Sequence, residues 1–142
     1  MKVIFLDVDG VLNFLGSEEQ ILTEKVTLLK KIVDETQAKI VLSSDWRIWW
    51  DKKDGDFLEL ESKLKEEGLT LLEKTPDSRH GYRGAEIYQW IQEWTGENIE
   101  SFVILDDRDD MKPYMDKLVQ TSLGTGLTFG DAEKAIKILN GL

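Results

Sequence analysis

Short, wholly apolar runs alternate along the chain with stretches whose apolar residues recur at helical spacing. Lys2–Leu6 (KVIFL) reads as a buried strand that stops abruptly at Asp7-Val8-Asp9-Gly10. From Thr23 to Glu35, Val26, Leu29, Ile32 and Val33 fall on one helical face, with Thr23 placed to cap its start. Lys39–Leu42 (KIVL) is a second strand, ending in Ser43-Ser44-Asp45. Phe57, Leu60 and Leu64 mark a helix from Asp56 to Glu67, closed by Gly68. Leu69–Leu72 (LTLL) reads as a short third strand. Ile87, Trp90, Ile91 and Trp94 repeat at i, i+3, i+4 and i+7, the clearest helical signal in the chain. Phe102–Leu105 (FVIL) is a fourth strand, running into Asp106-Asp107, and Lys117–Gln120 a fifth. Ala132, Ala135, Ile136 and Leu139 share a face of the last helix, and Thr128-x-x-Asp131 resembles a capping box at its start.

Strands that are apolar on both sides must be covered on both sides. The alternation of such strands with amphipathic helices therefore predicts an α/β fold of three layers, Rossmann-like, with a central parallel sheet. No linker, internal repeat or low-complexity tract interrupts it, and 142 residues suit one domain spanning residues 1–142.

Composition narrows the chemistry. Lys+Arg number 18 and Asp+Glu 28, a formal net charge of −10. Such a chain does not coat nucleic acid through a general basic field, although it can still grip one phosphate locally. The absence of cysteine excludes a disulfide framework, a thiol nucleophile and thiolate zinc sites. A single histidine, His80, excludes multi-histidine metal sites and reads as a surface residue in a polar loop. No apolar run approaches the ~20 residues that span a bilayer, so no membrane partner is expected. The short acidic N-terminal run is no signal peptide, and a cytoplasmic location is the expectation.

Three apolar strands end in polar residues: Asp7 and Asp9, Ser43, and Asp106 with Asp107. In an open parallel sheet the carboxyl ends of the strands line one edge, where ligands bind. Carboxylates crowded there repel one another and are costly to desolvate, a conflict that a hard divalent cation removes. Mg²⁺ suits such an oxygen site because it is usually held by one or two carboxylates and substrate phosphate.

Asp7-Val8-Asp9-Gly10-Val11-Leu12, placed directly after an N-terminal strand, resembles the first motif of the haloacid dehalogenase (HAD) superfamily of phosphohydrolases. Ser43 resembles the second motif, Arg83 can serve as the basic third, and Asp106-Asp107 resembles the acidic fourth. The segments SSDWR (Ser43–Arg47), Gly81–Trp90, ILDDRDDM (Ile104–Met111) and Leu118–Thr128 are closest to the small HAD domains of Swiss Army Knife RNA repair proteins. The resemblance implies an Mg²⁺-dependent phosphatase that hydrolyses a phosphomonoester through an aspartyl-phosphate. In it Asp7 is the nucleophile, Asp9 the general acid and base, Ser43 a hydrogen-bond donor to the phosphoryl group, and Arg83 its charge partner. Mg²⁺ falls to Asp7, the backbone carbonyl of Asp9, Asp106 and a further acid, Asp107 or Asp110. Ser44, Gly10 and Arg47 are additional candidates, and Arg79 is a rival to Arg83, which sits closer to the helix of residues 87–94.

The intervals between motifs leave room for loops but not for an inserted cap domain, so an essentially capless, open cleft is expected. That suits a phosphate ester at the end of a larger molecule, such as a nucleic-acid terminus or a nucleotide, with Trp46, Trp49 or Trp50 as candidates for stacking a base. A small-metabolite phosphatase, a HAD domain without activity and a receiver-like signalling module are the rival readings.

Overall fold

The computed structural model describes residues 1–78 and 81–142. Five strands, β1 (Lys2–Leu6), β2 (Lys39–Leu42), β3 (Leu71–Lys74), β4 (Ser101–Asp106) and β5 (Leu118–Gln120), form one parallel sheet in the order β3-β2-β1-β4-β5. Helices α1 (Thr23–Thr36), α2 (Gly55–Glu66), α3 (Arg83–Glu93) and α4 (Phe129–Leu139) cover its two faces. A 3₁₀ segment at Asp45–Trp49 follows β2. This is the three-layer parallel α/β architecture that the apolar strands demand. Among the described residues no inserted domain stands over the carboxyl edge of the sheet.

Strand alternation divides the core in two. Ile4 and Leu6 of β1, Ile40 and Leu42 of β2 and Val103 and Leu105 of β4 pack with α1, α2 and α4. Val3 and Phe5, Val41 and Ile104 point to the other face, where Ile87 and Trp90 of α3 and Met111 meet them. The edges of the Phe5 and Trp90 rings meet at 5.5 Å between centroids. The alternation carries Asp7 and Ser43, one step past β1 and β2, and Asp106, the last residue of β4, onto the face covered by α3. The site is thus a polar extension of the smaller core cluster.

Two local expectations change. The third strand is Leu71–Lys74, shifted two residues along the chain from the LTLL run of Leu69–Leu72. As the sheet edge it needs only partial burial, so Glu73 and Lys74 take strand positions and Leu69 is buried before the strand begins. Thr23 does not cap α1; Leu22 holds the cap position without a side-chain bond, and Thr23 is already helical. The reciprocal capping box at Thr128 and Asp131 is present, and Gly68 turns the chain after α2 with φ +74°. Trp90 is buried and Trp94 stacks on it, half-buried, at 5.0 Å.

Candidate active site

β1 and β4 are neighbours in the sheet although β2 and β3 intervene in sequence, so the strand order reverses between them. Asp7 and Asp106 leave the sheet at this switch point, the position where open α/β sheets bind ligands. The Asp7 N–H donates to the Leu105 carbonyl (3.0 Å), which extends the β1–β4 pairing into the site.

Arg83, the first residue of α3, lies between the two acids. Its Nη1 is 2.8 Å from Asp106 Oδ2 and 3.2 Å from Asp7 Oδ2, and its Nη2 is 3.4 Å from the exposed Asp45. The helix start is fixed by the 106–113 loop: the N–H groups of Arg83 and Gly84 donate to the Asp110 carboxylate (3.2 Å) and carbonyl (2.9 Å). Gly84 is required there because a Cβ would stand 2.2 Å from the Lys112 carbonyl oxygen. Asp110 therefore caps α3 and pairs with Arg108, while Asp107 joins the acid cluster.

One carboxylate oxygen each from Asp7, Asp106 and Asp107 lie within 4.8 Å of one another. Among the described residues Arg83 is the one buried cation beside them. Burial pushes the Asp7 carboxyl up to about 8, and repulsion from Asp106 adds to the rise. Arg83, the Val8 N–H and the Ser44 hydroxyl oppose it. Burial also raises Asp106, against the pull of Arg83. The Arg83 guanidinium feels the opposite: burial lowers its proton affinity, but the neighbouring Asp7 and Asp106 charges outweigh it and hold the group firmly protonated. Hard oxygen donors in negative excess are the donor set that Mg²⁺ accepts. The residues present fit the metal.

Gly10 follows at φ +81°, and a Cβ there would meet the Asp107 carboxylate at 2.7 Å. The close approach of the two motif loops needs a glycine for both reasons. The Thr121 hydroxyl donates to the Gly10 carbonyl (2.6 Å) and ties this turn to the end of β5.

Asp9 has a different setting. It is exposed, and its two oxygens accept from the Trp46 indole N–H (3.1 Å) and the Asn13 amide (3.0 Å). Asn13 also accepts from the Gly10 N–H (2.8 Å) and donates to the Gln20 carbonyl (2.8 Å), so one side chain organises the whole turn. Trp46 itself is 4% exposed and belongs to the core, packed edge-on against Trp49. Trp49 and Trp50 are half-buried, and Trp50 packs on Phe57. The indole of Trp46 thus orients Asp9 and has no open face for a base.

Ser43 is fully buried, and its hydroxyl has no hydrogen-bond partner among the described residues. Ser44 borders the cleft beside Asp7 and its hydroxyl accepts from the Trp46 N–H (3.2 Å). Arg47 points away from Asp7: its guanidinium is buried against Glu86 (2.6 Å), with Asp77 and the Thr75 hydroxyl at 3.4 Å. The Ser78 N–H also donates to Glu86 (2.9 Å). Arg79 and His80 lie outside the described residues.

Asn13, Glu86 and Asp45 were not legible as site-region residues. Asn13 stands four residues after Asp9 in an irregular turn, where spacing carries no directional information. Nothing in the sequence separates Glu86 from the chain's solvated helix acids; only its own burial and that of its partner Arg47 do.

The family described as the HAD domain in Swiss Army Knife RNA repair proteins matches residues 3–132, and the chain belongs to it. It is thereby a member of the HAD superfamily, a superfamily of hydrolases. No curated protein and no solved structure matches the chain. Among the described residues no helix is long and apolar enough to cross a membrane.

Proposed function

We propose that this protein is an Mg²⁺-dependent phosphomonoesterase that works through an aspartyl-phosphate on Asp7, as a single cytoplasmic domain acting on a terminal phosphate of a nucleotide or nucleic acid. The observation that carries the reading is the charge imbalance at the switch point. Asp7, Asp106 and Asp107 crowd within 4.8 Å, and Arg83 is paired with the two buried ones.

Mg²⁺ would be held by Asp7, Asp106, Asp107 and the backbone carbonyl of Asp9. When bound it supplies the positive charge that keeps Asp7 ionised and offsets charge on the phosphoryl oxygens. Asp7 attacks phosphorus as the bond to the leaving oxygen breaks, and Asp9 delivers a proton to that oxygen. Asp9, now a carboxylate, takes a proton from water. The water oxygen attacks the aspartyl-phosphate, the bond from phosphorus to the Asp7 oxygen breaks, and phosphate leaves. Arg83 balances charge on Asp7 and the phosphoryl group throughout. Ser44 borders the cleft and offers its hydroxyl to the phosphoryl oxygens, whereas Ser43, fully buried and with no hydrogen-bond partner among the described residues, does not border it.

The cleft over these groups is small, about 150 Å³, and is bordered by Asp7, Asp9, Ser44, Asp45, Arg83, Asp107 and Arg108. Such a volume takes a phosphoryl group and little more. That favours a grip on the chain end over contacts along a polyanion, in keeping with the net charge of −10. The test is phosphate release with Mg²⁺ from aryl phosphates, nucleotides and 3′- or 5′-phosphorylated oligonucleotides. Release from the nucleotidic esters, abolished by Asp7→Asn, is the expected result. Absence of release from every ester, or full activity of Asp7→Asn, overturns the reading.

A further inference from the structure

A second cavity adjoins the phosphoryl cleft and shares Asp9 with it. It measures about 290 Å³ and is bounded by Asp9, Asn13, Phe14, Leu15, Gln20 and Leu123, among others. We propose that it is the leaving-group subsite, and that it takes an uncharged, flat ring group of the kind an aryl or nucleoside monophosphate carries. The proposal rests on the phosphomonoesterase reading and adds the substrate class to it.

Position is the first argument. Asp9, the group assigned to protonate the leaving oxygen, borders both cavities, so an ester held with phosphorus near Asp7 and its bridging oxygen at Asp9 extends its remaining part past Asp9. Side-chain character is the second. Leu15 is 74% exposed and Leu123 46%, two large apolar groups left in water at the border of this cavity. They come from distant parts of the chain and are joined by the Leu15 N–H donating to the Leu123 carbonyl (2.8 Å). Half-buried Phe14 supplies an aromatic wall, braced behind by Lys25, whose ammonium lies 5.9 Å from the ring centroid and donates to the Leu127 carbonyl.

The wall is built and not incidental. Gly126 approaches so closely that a Cβ would stand 2.5 Å from the Asn13 carbonyl oxygen, and its φ of +70° permits that approach. Charge is the third argument: among the described residues the cavity is bordered by Asp9 and Glu19 and by no Lys or Arg, the Lys25 ammonium standing against the Phe14 ring and bonded to the Leu127 carbonyl. A leaving group bearing another phosphate at this position is repelled, whereas a neutral ring buries apolar surface. The volume stands at the lower end of ligand sites, roughly 300–1,000 Å³, enough for one ring system.

The experiment compares 2-naphthyl phosphate with methyl phosphate on the wild type, Leu123→Asp and Leu15→Asp, with Leu58→Asp on the exposed side of α2 as a control. The ratio of kcat/KM for naphthyl over methyl phosphate is expected to fall about tenfold or more in both subsite variants, about 1.4 kcal/mol, and to hold in the control. An unchanged ratio, with both substrates affected alike, overturns the subsite while leaving the phosphatase reading intact. Binding of 2-naphthol alone, followed by amide shifts, reads the cavity without turnover. Shifts confined to residues 13–20 and 122–124 and lost in Leu123→Asp are expected, and their absence overturns the proposal even in an active enzyme. If the wild type turns over neither ester yet binds naphthol there, the phosphatase reading fails and the cavity is a ring-binding site of another kind, not a leaving-group subsite.

Discussion

Among the described residues two arginines are buried, Arg83 at the cleft and Arg47 near it, and their surroundings differ in one respect. Arg47 is 6% exposed and meets one buried acid, Glu86, which is equally buried. Arg83 is 3% exposed and meets two, Asp7 and Asp106, with Asp107 close behind. The first pair is balanced and closes a structural joint between the 3₁₀ segment after β2 and helix α3. The second group carries surplus negative charge in a place where water cannot screen it. Burial of an ion pair stabilises little by itself, because desolvation offsets attraction. The lesson is that burial and pairing alone do not separate a structural arginine from one proposed to serve the reaction. The charge balance does.

The sharpest break of the comparison is Asp7→Asn. It keeps shape and removes the attacking oxygen, so turnover should fall by several orders of magnitude while the melting temperature holds or rises. A kinetic assay beside a melting curve checks both halves. The equivalent change at the balanced pair, Glu86→Gln, should do the reverse. It leaves Arg47 with only the exposed Asp77 as a charged partner and should cost up to about 3–5 kcal/mol of stability, read from denaturant unfolding. Asp106→Asn, by contrast, relieves the surplus. Without metal its stability should match or exceed the wild type, a difference in sign that the same unfolding measurement decides.

Addition of Mg²⁺ should raise the melting temperature of the wild type and do so much less in Asp106→Asn, because a ligand that binds the folded state stabilises it. The pH dependence follows from Asp7. Its folded value of about 8 lies above the ordinary carboxylate value of 3.8. Between the two the folded chain retains a proton that the unfolded chain has released, so metal-free stability should fall as pH rises from about 4 to 8. Mg²⁺ should flatten that slope, and Asp7→Asn should remove most of it. Calorimetry across this range with and without Mg²⁺ measures all three. The smallest effect is expected at Trp46→Phe, which keeps the packing and deletes the N–H that holds Asp9. Activity should drop more on alkyl phosphates, which need a proton on the leaving oxygen, than on activated aryl phosphates. Equal losses would mean that the indole matters only as core.

What the sequence made legible follows the same physics. Apolar strands declare themselves by composition, and the groups that follow them, Asp7, Ser43 and Asp106, inherit their face from strand alternation. Arg83 could be placed because it opens a strongly periodic helix. The third strand was misplaced by two residues because an edge strand needs no apolar run. Trp46 is one of three candidates for stacking a base, and nothing in SSDWR reveals that its ring turns inward while its N–H meets Asp9. The Arg47–Glu86 joint depends on how a 3₁₀ turn docks on a helix, which no local pattern encodes.

The pairing of β1 with both β2 and β4 has a kinetic consequence. Lys2–Leu6 finds its β2 partners within the first third of the chain, but its β4 partners are Ser101–Leu105. Closing the second contact requires a loop of nearly the whole intervening sequence, an entropic cost met late in folding. Asp7 and Asp106 come together only through that closure. A refolding chain should therefore regain helical signal before it regains catalysis, and the interval between the two is the time the chain takes to join its own distant strands.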